Sequence, residues 1–550
     1  MTNRRRLRRA RGIAAAAVVA WLIVGAIPAR AASAVEIEAH ALVGGRYEIS
    51  GWLAVSVTLV NSGAPTDGYL TAETESGTVR RYVELPAGAR KVVPLYVEPE
   101  AFQREVSISY IEPNGTVSAS AEVRVLEQVS GQVAIVGDTT GTLRPQVLAS
   151  DEGSRPEPIS LAVADIPERP EPLGGVSTIV WAADSTSLTS GQLGSLERWM
   201  ADGGQLVVVG GTDWQTRTAG FADALPLSGL ASADGTSLAA LAAWAGQDEA
   251  SLDPSTVSTG RVHDDARAIV TADDGSVIIS MRPFGAGSIV LVGADLAVEA
   301  FRAWEGAPRV WDRIVPSSAV FDQFFGGAGQ RDEMHAAMSG ALGTLPTLQV
   351  PSAELLLGVI VAYILLIGPV SYLVLRRIDR RELAWVTAPL LIVTFSACSY
   401  GIGRSMKGSD VIVNQVAVVR TSPTGAALAE TFAGVFSPDR STYDLTVDAD
   451  ALIGAIDTSS FDGVTRSTGD VAVEQGQPAH LRDLSIGTFG FAGIHASALV
   501  DVDPALVVTW STRDGAVVGV VTNTSATAVA DVAYISTAGG ERIGDLAPGA

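Results

Sequence analysis

Residues Leu193–Gly211 read LGSLERWMADGGQLVVVGG. Leu193, Leu196, Trp199 and Met200 recur at three- and four-residue spacing, which gives a helix one apolar face. Thr189 and Gln192 have the spacing of a capping box, so the helix is expected to open there. Gly203-Gly204 ends it. The run Gln205–Val209, apolar after its first residue, reads as a buried strand, and Gly210-Gly211-Thr212-Asp213 turns the chain. Upstream, Gln132–Asp138 has the same buried-strand pattern and ends in Gly-Asp, and Val176–Trp181 is a second strand. Downstream, Gly287–Val292 is another, followed by a helical stretch with Phe301, Trp304 and Trp311. Strands alternating with helices over 129–327 predict a parallel sheet with helices on its faces.

The flanking regions are different. Residues 35–127 hold short strands at sandwich spacing: Trp52–Val60, Tyr69–Glu73, Arg80–Glu84, Lys91–Val97, Val106–Ile111 and Ser118–Val125. The chain's last part repeats this layout. Val517–Thr524 resembles Val55–Ser62 in character, and Asp545-Leu546-Ala547-Pro548-Gly549 parallels Glu84-Leu85-Pro86-Ala87-Gly88. Gly88 lies 27 positions after Asn61, and Gly549 lies 26 after Asn523. Two related sandwich modules are expected. After Gly88 the first module continues into a strand, whereas the second reaches Ala550 where that strand would start. Either the last sandwich is incomplete or the natural chain continues.

Two 21-residue segments without a charge, Leu355–Leu375 and Leu383–Gly403, are each long enough to cross a bilayer. Arg376, Arg377, Arg380 and Arg381 lie between them and mark that turn as cytoplasmic. Pro369 and Pro389 are expected to kink the helices. At the N-terminus, six arginines within residues 4–11 precede the apolar run Ile13–Ile27 and small residues up to Ala34, the order of a secretory signal. An uncleaved anchor helix is the alternative. Signal and loop agree on one topology, with both large soluble regions extracytoplasmic and the chain held in the plasma membrane. The expected layout is a signal peptide (1–34), a β-sandwich (35–127), the α/β region (129–327), a linker (328–353), a transmembrane hairpin (354–404) and an extracytoplasmic β domain (405–550).

Composition excludes several functions. The net charge is −22, from 38 basic and 60 acidic residues, so nucleic acid is not an expected partner. Residues 1–31 contain seven arginines and no acid, so the exported part is more acidic still. Lys91 and Lys407 are the only lysines, and neither follows a P-loop or S-x-x-K pattern. A single cysteine, Cys398, rules out an intrachain disulfide and a multi-Cys zinc site. The five histidines are scattered, with no H-E-x-x-H. No cofactor is expected.

The run Leu193–Gly211 resembles the helix–Gly-Gly–strand unit of class I glutamine amidotransferase-like domains. The resemblance implies a flavodoxin- or amidotransferase-like α/β fold. It implies no amidotransferase chemistry, because that family's enzymes place a nucleophilic Cys after a strand, and here Cys398 lies in a membrane segment. The whole layout also resembles uncharacterised actinobacterial membrane proteins and the exported auxiliary subunits of gliding-type ABC transporters.

Strand ends of such a sheet form crevices. The candidate ligand-binding residues are therefore Asp138, Thr139 and Gly141 in one loop and Gly211 and Asp213 in another. Asp138 with Asp213 is a potential cation pair, although turn chemistry alone accounts for both loops. The expected function is a non-catalytic, membrane-anchored envelope protein that binds the bilayer and an unknown membrane or envelope protein, as an interaction or transporter-accessory module. The competing expectation is a divergent hydrolase or small-ligand sensor that uses these loops.

Overall fold

The computed structural model describes residues 34–49, 51–74, 77–100, 102–127, 131–139, 141–148, 157–248, 251–315, 337–338, 341–342, 353–379, 381–407, 410–421, 426–456, 471–488, 490–502, 506–513, 516–536 and 539–550. The expected signal sequence and most of the expected linker lie outside these residues.

Alternating buried and exposed side chains build the N-terminal β region. Leu53–Asn61 pairs with Val35–Ala41 on one edge and Arg90–Val97 on the other. Facing it, Gly77–Leu85, Thr66–Thr74, Glu105–Ile111 and Val117–Arg124 form an antiparallel run. That run continues into strands from beyond the apolar hairpin. Ala472–Glu474 pairs in parallel with Thr78–Arg80, then come Ala479–Ile486 and Ser441–Val447, giving seven strands in all. A further sheet orders Ile412–Thr421, Ala426–Ser437, Gly490–Asp501 and Ala451–Ile456. One continuous core joins Val55, Val57, Leu59, Leu70 and Leu95 to Val435, Ile453, Leu481 and Ile494. The segment 405–550 thus divides, and its first part completes the sandwich that residues 35–127 begin.

Residues 131–315 form the expected parallel sheet. Its strands run Ile159–Leu161, Gln132–Val136, Val176–Trp181, Gln205–Val209 and Gly287–Val292, extended by antiparallel Val277–Phe284 and Arg267–Thr271. In chain order the parallel strands read 2-1-3-4-5, a doubly wound arrangement. The capping box closes as read, with the Gln192 amide N–H donating to Thr189 Oγ1 at 3.1 Å and the Thr189 N–H to Gln192 Oε1 at 3.0 Å. The helix Ser190–Ala201 buries Leu196, Trp199 and Met200 on one sheet face, together with Trp52 and Tyr96 from the sandwich. Leu143–Leu148, Ala239–Trp244 and Ala307–Ile314 cover the other face. The antiparallel pair Leu227–Thr236 and Ser255–Val262, joined through the helix Ala239–Trp244, has no apolar alternation in its sequence.

Among the described residues, two helices are long and apolar enough to cross a membrane, spanning Leu357–Arg377 and Ala384–Gly401. The first carries one widened π turn at Leu366–Val370, where Pro369 has no N–H to give. The Tyr363 and Phe395 rings meet between the helices, 4.6 Å apart. Arg376 and Arg377 are exposed at the turn, Arg381 begins the next short turn, and Arg380 lies outside the described residues.

The internal repeat extends to individual hydrogen bonds. Asn61 is fully buried, and its Nδ2 donates to the Ala64 carbonyl at 2.8 Å and the Leu85 carbonyl at 3.0 Å. Asn523 is equally buried, and its Nδ2 donates to Thr527 at 2.8 Å and Leu546 at 3.0 Å. Each Oδ1 accepts from the amide two residues on, Gly63 or Ser525. Gly88 and Gly549 both take the left-handed conformation that glycine adopts freely, at φ 68° and 76°. Asn61→Asp would turn a carboxylate oxygen toward the carbonyls of Ala64, Leu85 and Pro86. Denaturant unfolding of the detergent-solubilised chain should show a loss of about 1–3 kcal/mol or more. Unchanged stability would mean that the clamp does not hold this turn.

Candidate functional site

The strand-end loops lie at the same end of the parallel sheet. Gly137 turns at φ 83°, and a Cβ there would stand 2.7 Å from the backbone nitrogen of Ala183, so the first and third strand ends cross as closely as glycine allows. Asp138 sits just beyond. Its carboxylate accepts three backbone N–H groups, from Thr142 at 2.9 Å, Leu143 at 3.1 Å and Arg144 at 3.0 Å. These are the orphan donors at the start of the helix Leu143–Leu148, so Asp138 acts as its cap. Thr139 is exposed, and its N–H donates to Gly137; the Gly141 N–H donates to Asp138.

Gly211 and Asp213 lie after the fourth strand. A Cβ on Gly211, at φ 77°, would meet the Asp295 Cβ at 2.5 Å. The Asp213 side chain is 67% exposed and pairs with Arg217 at 3.4 Å, while Arg217 itself is only 12% exposed. Arg217 also donates to the Gly210 carbonyl at 2.9 Å and meets Asp295 at 3.4 Å. It stitches the fourth and fifth strand ends together. No hydrogen bond or ion pair joins Asp138 to Asp213 among the described residues, and no group of three His, Cys, Asp or Glu there could hold a metal. Each loop is assembled around its own backbone.

A second polar cluster lies where the α/β region meets the sandwich, and the sequence reading missed it. Arg169 and Glu171 have side chains only 5% and 1% exposed and pair at 2.6 Å. Arg169 also donates to the backbone carbonyls of Asp450 at 2.8 Å and Ser497 at 3.1 Å, and Ser497 Oγ donates to Glu171 at 2.8 Å. Its guanidinium lies 5.8 Å from the Tyr96 ring. Burial works most strongly against the Arg169 charge, yet the charge and hydrogen bonds of Glu171, together with Asp450 and Tyr96, hold the guanidinium above its ordinary value. The sequence signal, Glu168-Arg169-Pro170-Glu171, is indistinguishable from a solvated charged turn.

Residues 34–126 match a family described as a domain of unknown function, DUF8726. No curated protein matches the chain. Among solved structures, the chain is similar to the cytoplasmic protein STM1381 from Salmonella typhimurium LT2, at 12% identity over 34% of this chain and 99% of that one, with a TM-score of 0.25. It is also similar to the mmIFT52 N-terminal domain, at 12% identity over 35% and 96%, with a TM-score of 0.22. The exo-β-1,4-mannosidase Op5Man5 from Opitutaceae bacterium strain TAV5 aligns at 14% identity and a TM-score of 0.24, and the chain spans 36% of its length. Overlaps this shallow define no shared site.

The capping role of Asp138 is testable. Asp138→Ala should lower the unfolding free energy by about 1 kcal/mol, and Asp138→Asn, which keeps an accepting oxygen, by less. Asp213→Ala should stay within about 0.5 kcal/mol of the parent. Thermal unfolding of the three variants checks the order. An Asp138→Ala variant as stable as the parent would remove the capping assignment.

Proposed function

We propose that this chain is a membrane-anchored protein whose folded body lies wholly outside the cytoplasm and acts, without catalysis, as an interaction or transporter-accessory module for another membrane or envelope protein. The observation that carries the reading is the shared sheet. Strand Ala472–Glu474, after the apolar hairpin, hydrogen-bonds with Thr78–Arg80, before it. A single crossing would put ~30 Å of hydrocarbon between them. Two crossings return the chain to the side it left, as the two apolar helices allow. The arginine-rich turn between those helices favours the cytoplasm for the turn and so the outside for the body. The arginine-rich, apolar N-terminus favours export of the first half as well.

The non-catalytic part of the reading is supported by the strand-end loops. Three backbone N–H groups occupy the Asp138 carboxylate, and Arg217 holds Asp213. We take residues 131–315 as a non-catalytic relative of amidotransferase-like domains. Its doubly wound strand order fits that class, and Gly210-Gly211 follows the strand Gln205–Val209, with no cysteine in this domain. The exported surface is acidic, which suits solubility and a basic partner face.

Single cysteines introduced in a Cys398→Ala chain test the orientation. With a membrane-impermeant maleimide on intact spheroplasts, Ser118→Cys and Ser441→Cys should label, and Asp379→Cys only after permeabilisation. Labelling of Asp379→Cys in intact spheroplasts, with the other two protected, would reverse the topology. Cross-linking in native membranes followed by mass spectrometry should recover a specific membrane or envelope protein; recovery of none would reject the accessory role.

A further inference from the structure

Away from the strand-end loops, the helix-covered face of the parallel sheet holds a cavity of about 310 Å³. It opens between the helices Ala239–Trp244 and Ala307–Ile314, above the antiparallel extension of the sheet. Buried Ile279, Val290 and Ile314 line it, with Gln205 as a polar residue among them, so its interior is largely apolar. Trp244, Arg267 and Arg313 also line it. The size falls at the lower end of the range typical of small-molecule sites, about 300–1,000 Å³.

Among the described residues Arg144, Arg217, Arg282, Arg302 and Arg482 each meet a carboxylate, whereas others, Arg46, Arg104 and Arg261 among them, do not. Arg267 and Arg313 meet none among the described residues. Arg267 Nη2 approaches only Met281 Sδ, at 3.7 Å, and the Arg313 guanidinium stands over the Trp244 ring, 5.3 Å from its centre. Both arginines are exposed, so water solvates their charge at the mouth of the cavity. A guanidinium presents parallel N–H donors that match a carboxylate. A half-open, largely apolar cavity with an aromatic wall and two such donors at its rim is complementary to an apolar molecule that carries an anionic group.

We propose that this cavity binds a small organic carboxylate with an apolar body, either an aromatic ring or a short acyl chain. The body lies against Ile279, Val290 and Ile314, and the carboxylate sits between Arg267 and Arg313. Trp244 packs against the apolar part. This places a ligand site on the face of the sheet, remote from Asp138 and Asp213, and it does not depend on the orientation of the chain in the membrane.

The test uses the full chain in lipid nanodiscs, with 1-naphthoate, octanoate and neutral 1-naphthamide as probes, followed by calorimetry and ligand-observed NMR. Saturable binding of at least one carboxylate is expected, with naphthamide about tenfold weaker than naphthoate or worse. The double variant Arg267→Gln/Arg313→Gln should lose about tenfold or more in carboxylate affinity with an unchanged thermal midpoint. Asp213→Ala, at the strand-end loop, should bind as the parent does. Equal affinity for naphthoate and naphthamide, undiminished binding by the double variant, or no saturable binding of either carboxylate would overturn the proposal.

Discussion

A strand that follows the apolar hairpin must hydrogen-bond to one that precedes it. The parallel pairing of Ala472–Glu474 with Thr78–Arg80 joins the two parts of a seven-stranded sheet, and the Arg80–Glu474 contact spans 394 positions of the chain. Neither half has a finished sandwich alone. Val79 and Val473 are neighbours in one core that also takes in Leu70, Leu481 and Ile494. The loop that must close is long, and its closure entropy grows only slowly with length. The cost falls on rate, since non-local strand pairing is slow to find its partner.

The α/β region is pinned to this composite body by a charge pair. Arg169 and Glu171 arrive on a loop between the second and third parallel strands and are buried against Tyr96, Asp450 and Ser497. Removing two charges from water costs several kcal/mol per ion, so the pair is weak evidence for added stability. Its geometry explains why it is tolerated. Every contact of the guanidinium is a hydrogen bond, an ion pair or a ring face, and Ser497 completes the Glu171 carboxylate. Loss of one partner would strand the other, at a cost of about 3–5 kcal/mol. The cluster therefore fixes which surface of the α/β region faces the sandwich. Trp52 and Tyr96, which share a core with Trp199 and Trp181, supply the apolar part of that contact.

Elements with strong local patterning were legible in the sequence. Val176–Trp181, Gln205–Val209 and Gly287–Val292 appear at the expected residues, and the Thr189–Gln192 box closes as its spacing implied. Asn61 and Gly88 could be matched to Asn523 and Gly549 because a buried clamp needs a particular side chain at a particular distance along the chain. What was illegible is non-local. Nothing in Ala472–Glu474 names Gly77–Leu85 as its partner, because strand register depends on whole-sheet burial. The polar strands Leu227–Thr236 and Ser255–Val262 carry no alternation to read. At Asp138 the residue type fits a ligand loop and a helix cap equally, and the cap shows only in the three N–H groups aimed at its carboxylate.

The most direct test is a disulfide across the junction between the two halves. Thr78 and Ala472 are register partners, both half-buried. With Cys398 replaced by alanine, Thr78→Cys/Ala472→Cys should oxidise within a single chain, giving a faster-migrating monomer on a non-reducing gel. Free thiols under the same oxidation, or only dimers linked between chains, would contradict a sheet shared across the hairpin.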